Sequence, residues 1–222
     1  GVDLLSCTSL YEIQKNISTY AEKNHDDPAI RGFGWNYFLF NESGPNKEML
    51  DQVISDKPII LTSFDGHATW VNSRALEIAG ITVSTPDPAG GKIERDSEGN
   101  PTGVLREMAA SNLVTSKIPP LTIAQIKDML EKILPRASEA GITTADDAAV
   151  SPEIISAFAD LEDEGKLPVR IFGEIVALPE LGVEEIPFMD EERSIFYQGY
   201  PAIEEGHSYI GDLPGLLDVE SQ

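Results

Sequence analysis

The chain has 222 residues, 41% of them hydrophobic, one cysteine and a net charge of −22. That is enough apolar material for one sizeable domain or two small ones. A single cysteine excludes an internal disulfide framework and a cysteine zinc cluster, and the excess of acid excludes nucleic acid and anionic membrane surfaces as partners. No apolar run approaches the ~20 residues of a membrane span, and the amino end has no basic-then-apolar leader pattern. The expectation is a cytoplasmic protein. Cys7 reads as a nucleophile or as a small buried apolar residue.

Residues 9–24 read as a helix: Ser9 and Glu12 form a capping-box pattern, and Leu10, Ile13, Ile17 and Tyr20 recur at helical spacing. Residues 29–36 suggest a short strand running into a glycine-rich turn, with Trp35 either lining a pocket or packed in the core. A short helix over 46–54 follows. The continuous apolar run Pro58–Ser63 predicts a buried strand. It delivers Asp65, Gly66 and His67 at its carboxyl end, where α/β folds bind ligands. Asn72 is a helix N-cap candidate and Gly80 a stop. Residues 92–105 read as a β-hairpin turning at 97–100, followed by a helix from Glu107 to Ser116.

Pro119-Pro120 marks a boundary. Beyond it come a helix over 122–140 with a second capping-box pattern (Thr122, Gln125), a strand over 142–148, a helix over 152–164 and a strand over 167–176. This order is that of parallel β/α units. Residues 178–222 are acidic, proline-bearing and weakly periodic, and are expected to form short helices, loops and a mobile tail.

The chain has three histidines. His25 lies in Asn-His-Asp-Asp and His207 in Glu-Glu-Gly-His, both read as exposed. No His-x-His or His-Glu-x-x-His pattern announces a metal. His67 is the catalytic candidate. Asp65, two residues away, is placed to fix its tautomer and raise its basicity. The competing reading of His67 is a histidine that satisfies backbone groups beneath a loop. Glu107 either binds a polar group or is a first-turn acid that suits the helix dipole. Asp146 and Asp147 either face a pocket or cap the next helix. No Gly-x-Ser-x-Gly elbow supports a serine triad, and the glycine pairs lack the dinucleotide fingerprint.

Asp65-Gly66-His67-Ala68-x-Trp70-Val71-Asn72-Ser73-x-Ala75-Leu76 resembles a segment of the amidohydrolase superfamily, in the branch that contains N-substituted formamide deformylase. Gly32-x-Gly34-Trp35, Asp87-Pro88-x-Gly90-Gly91-x-Ile93, Gly99-x-Pro101-Thr102-Gly103-Val104-Leu105-x-Glu107 and Gly141-Ile142-Thr143-Thr144 fit the same branch, in order, across roughly residues 1–177.

The resemblance implies an α/β fold of partial TIM-like (β/α) barrel units with an inserted α+β subdomain that carries the hairpin. Residues 1–24 would be a helix after a missing first barrel strand, 25–118 the insertion, 119–177 the barrel units and 178–222 a tail outside the pattern. It implies hydrolysis of amide or formamide C–N bonds with a divalent metal, zinc foremost, in the full-length parent. The family's His-x-His pair and later histidines have no counterpart here, so no metal ligand is assigned. His67 is carried over as catalytic, and Trp35, Asp65, Trp70, Asn72 and Glu107 as substrate-binding, the substrate being a small amide. Such a fragment is expected to be inactive alone. The alternative is a binding or interaction module that lost the catalytic shell. Too few units to close a barrel imply homo-oligomers through exposed apolar surface, or a compact sheet that takes in the hairpin.

Overall fold

The computed structural model describes residues 1–41 and 44–175. It divides the chain once, between Pro120 and Leu121. The first unit is a six-stranded mixed sheet between two helical layers, in the order β1-β2-β3-β4-β6-β5. β1 (Val2–Asp3), β2 (Ile30–Trp35) and β3 (Ile59–Ser63) run parallel. β4 (Ala68–Val71) pairs antiparallel with β3 and with β6 (Pro101–Arg106), and β5 (Lys92–Arg95) completes the hairpin on β6.

Side chains on a strand alternate between faces, and the two cores of this unit follow that rule. Leu61, Ala68, Trp70 and Val104 point to one face, where helix α1 (Leu10–Lys23) brings Ile13 and Ile17, and α2 (Lys47–Asp51) brings Leu50. Ile60, Val71, Ile93 and Leu105 point to the other. They meet Ala75 and Leu76 of α3 (Ser73–Ala79) and Ala110 and Val114 of α4 (Glu107–Thr115).

Both ends of α3 were legible: Asn72 caps it and Gly80, at φ 69°, stops it. At Ser9 the expected reciprocal box is half made. Its hydroxyl accepts from the Glu12 N–H, while the Glu12 carboxylate reaches back to the N–H and hydroxyl of Thr8. Cys7 is buried, and burial, ahead of nearby Glu12 and Asp3, pushes its thiol up. That suits a core residue and not a nucleophile.

Three local expectations change. β1 and β4 are strands that the periodicity does not give: β1 has two residues, and β4 is buried at every position, so neither alternates. Through β1 and α1, residues 1–24 belong to the first unit's sheet and core, with no seam at position 24. A one-turn 3-10 segment, Tyr37–Leu39, follows β2.

Gly103 shows why one motif residue is a glycine. It sits at φ 99°, and a Cβ there would lie 2.5 Å from the Val71 carbonyl oxygen and 2.9 Å from the Lys47 Cβ. Only a residue without a side chain lets β6 lie against both.

The second unit holds α5 (Ile123–Glu139), β7 (Thr144–Val150), α6 (Pro152–Asp163) and β8 (Arg170–Ile175), the two strands parallel. The Thr122–Gln125 capping box is fully formed. Leu134, Ile155, Phe158, Leu161 and Ile171 make its core. β7 runs two residues beyond its expected end, and Ser151, not Asp146 or Asp147, caps α6. The expected tail, 178–222 with His207, lies outside the described residues. Among those described, no helix is long and apolar enough to cross a membrane.

Candidate functional site

The carboxyl ends of β2, β3 and β6 share one edge of the first sheet. There the chain gathers Tyr37, Asp65, His67, Arg106 and Glu107. Asp65-Gly66-His67 lies at the carboxyl end of β3, as the sequence suggested. It is the reversal between β3 and β4, and Gly66 at φ 79° makes it tight.

Asp65 builds that turn. Its Oδ1 accepts from the Ser63 hydroxyl (2.5 Å), the His67 N–H (3.2 Å) and the Tyr37 hydroxyl (3.2 Å). The Ser63 hydroxyl, ahead of the other donors, holds the carboxyl below the usual carboxylate range. The Ser63 Oγ also accepts from the Ala68 N–H. Asp65 therefore fixes the loop that presents His67, and acts on the imidazole only through its charge, which adds to the rise in the His67 pKa.

The imidazole's partner is Glu107, forty positions further on. His67 Nδ1 lies 3.1 Å from Glu107 Oε2, with both side chains more than half exposed. A carboxylate only accepts, so Nδ1 carries the proton and Nε2 has no partner among the described residues. The Glu107 carboxylate, by hydrogen bond and then by charge, raises the His67 pKa. The antiparallel pairing of β4 and β6 makes this contact, and the Glu107 N–H donates to the His67 carbonyl at 2.9 Å.

Glu107 is, among the described residues, the only non-glycine with positive φ, at 65°. Such a conformation costs about 1–3 kcal/mol and persists where surrounding structure over-determines it. Gly91 helps to set that surrounding structure. A Cβ on it would lie 2.6 Å from the Ala110 nitrogen, so the loop before β5 packs directly on the first turns of α4.

Three candidates from the sequence lie elsewhere. Trp35 and Trp70 have no exposed surface. Their indole N–H groups donate to the carbonyls of Leu61 and Asn46, and the rings stack edge-on with centroids 5.9 Å apart. They are core residues and reach no surface among the described residues. Asn72 is equally buried and its carboxamide is fully engaged. Oδ1 accepts from the N–H groups of Ile59 and Ala75, and Nδ2 donates to the carbonyls of Ile54 and Lys57. The sequence missed Tyr37 and Arg106. Their only signal was position at strand ends, and that becomes readable once the sheet order is known.

Among the described residues no three His, Cys, Asp or Glu side chains converge to hold a metal ion. Asp65 is turned into its own loop, so it does not complete a set with His67 and Glu107. The second unit has a cavity of about 410 Å³ lined by Thr143, Glu162, Leu167 and Arg170. It lies at the amino ends of β7 and β8.

Residues 2–196 match the amidohydrolase family. The chain belongs to that family. This amidohydrolase chain is 34% identical over 175 residues to N-substituted formamide deformylase of Arthrobacter pascens, covering 73% of this chain and 31% of that protein. It is 32% identical over 136 residues to Protein LONG AFTER FAR-RED 3 of Arabidopsis thaliana, covering 61% and 23%. Its fold is similar to an uncharacterized metal-dependent hydrolase from Pyrococcus horikoshii OT3, with a TM-score of 0.53, 21% identity, and coverage of 84% of this chain and 35% of that one. The amidohydrolase chain thus spans a third or less of the length of these curated relatives.

Proposed function

We infer that this chain is part of a metal-dependent hydrolase of non-peptide C–N bonds, amides or formamides. The family match and the similarity to a formamide deformylase support the reaction class. The observation that carries the site is the 3.1 Å contact between His67 and Glu107 at an exposed sheet edge, built at the expense of a strained backbone. In this reading the six-stranded unit is the inserted subdomain, and residues 121–175 are units of a TIM-like barrel.

The described side chains do not form a metal site. The ion, zinc foremost, belongs to ligands outside the described residues. This chain's own chemistry is that of His67. With Nδ1–H held on Glu107, Nε2 gives a proton to, or takes one from, a group on the substrate. The raised pKa keeps the imidazole protonated to higher pH than a free histidine, which suits donation to a departing amine. Asp65 and Glu107 position the ring from its two sides, one through the backbone and one through Nδ1.

Metal content by plasma mass spectrometry, on the 222-residue chain purified without chelator and dialysed, checks this division. Well under one transition metal per chain is expected. One or two tightly held ions, lost in His67→Ala, would mean that the chain has a metal centre of its own.

A further inference from the structure

Arg106 is the last residue of β6, and it is held in an unusual way. Val104 faces the first core and Leu105 the second, so alternation returns Arg106 to the first face. There its guanidinium lies over the Tyr37 ring, 4.8 Å from the centroid, and its Nε donates to Glu94 Oε1 at 2.6 Å. Tyr37 is itself fixed, edge-on to Trp35 at 4.7 Å and bonded through its hydroxyl to Asp65. The side chain is therefore already ordered, and a ligand that binds it loses little further rotamer freedom.

A guanidinium has five N–H donors. One is used on Glu94, and the four on the two terminal nitrogens have no partner among the described residues. Arg95, by contrast, spends its terminal nitrogens on the carbonyls of Thr82, Val83, Thr85 and Gly99. Directly across from Arg106 on β5 is Lys92, its Cα partner, exposed and without an ion partner among the described residues. Opposed residues on antiparallel strands project to the same face with Cβ atoms about 5 Å apart. A chain of net charge −22 thus sets Lys92 across from a guanidinium that is paired with Glu94 through Nε and whose planar fork has no partner among the described residues.

We propose that Arg106 and Lys92 form an anion subsite where the end of β6 meets the start of β5, and that it takes the carboxylate of a small acid. The planar, preorganised fork matches a carboxylate with two parallel N–H···O bonds, and the lysine adds a point charge. The chain's overall field repels anions, so recognition is local and short-ranged. If the hydrolase reading holds, the substrate is an acylated amine that also bears a carboxylate. That link to an amide rests on the hydrolase reading, and the anion site does not.

The test is an NMR titration of the chain with N-formylglycine, with N-formylglycinamide as the neutral control. The acid should give saturable shifts at the Arg106 Nε–H and at the amides of Lys92 and Arg106, and the neutral amide should not. Arg106→Lys keeps the charge and loses the fork, so it should weaken binding about tenfold. Lys92→Gln should weaken it about threefold, as expected for one exposed charge. Unchanged spectra elsewhere show that both variants fold. Equal response to the neutral amide, no saturable response, or unchanged affinity in Arg106→Lys would overturn the proposal. If the acid binds as described and the longer protein cleaves no C–N bond, the anion subsite stands and the hydrolase reading falls.

Discussion

Asn72→Ala is expected to destabilise the first unit by about 3 kcal/mol, because it strips two buried N–H groups and two half-buried carbonyls of their partner and removes a helix cap. The carboxamide ties together three segments. It receives the Ile59 N–H at the start of β3, it caps α3 through the Ala75 N–H, and it holds the Ile54 and Lys57 carbonyls of the loop between α2 and β3. Alanine leaves two buried N–H donors and two half-buried carbonyls without this bond. Asn72→Asp is the informative companion. It keeps both acceptor bonds and the cap, but it faces a carboxylate against two carbonyls, so it should lose as much stability as alanine. Denaturant titration followed by tryptophan fluorescence reports this directly, since both tryptophans, Trp35 and Trp70, lie in the first unit. A loss below about 1 kcal/mol in both variants would mean that Asn72 is only a helix cap.

If the hydrolase reading holds, His67→Ala is expected to lower kcat/KM of the longer protein about 100-fold, the usual scale for loss of a positioned general acid. Glu107→Gln should act through the histidine, and so should move the pH profile more than the plateau. The sign follows from the geometry. Glu107 raises the His67 pKa in the folded state. The imidazolium contact therefore helps the fold below the ordinary histidine pKa of about 6.5, and its contribution is lost as pH rises through the raised value. Glutamine removes the charge, so the limb of the profile that needs His67 protonated should shift to lower pH. The NMR midpoint of His67 in the isolated chain should shift the same way. Glu107→Gly separates position from charge, because it relieves the positive φ while deleting the carboxylate. It should leave the fold as stable or more so while returning the His67 midpoint toward its ordinary value. A profile unchanged in Glu107→Gln would remove Glu107 from the mechanism.

Much of the fold could be read from local chemistry. The caps at Ser9, Asn72 and Thr122, the stop at Gly80 and the hairpin at 92–106 are statements about a few adjacent residues, and the sequence carries them directly. β4 could not be read in this way. A central strand buried on both faces has no alternation, and Ala68-Thr69-Trp70-Val71 is too short to separate from a loop. The site inherits that blind spot. Asp65 is His67's neighbour in sequence and was the natural partner for its imidazole. Only the pairing of β4 with β6 shows that Glu107 holds the ring and that Asp65 holds the turn. The tryptophans and Asn72 show the opposite error. Their place in a family motif suggested contact with substrate. Full burial and their hydrogen bonds place the tryptophans in the first core and Asn72 at the start of β3, the end away from His67.

The decisive experiment for the hydrolase reading is release of formate or amine from N-substituted formamides and simple amides, with and without chelator. It should be run on the longer protein that contains this chain and on the 222-residue chain alone. Turnover by the longer protein that chelator removes and metal restores, and none by the chain alone, is the expected result. Metal-independent cleavage by the chain alone, or no C–N cleavage by the metal-loaded longer protein, would contradict it.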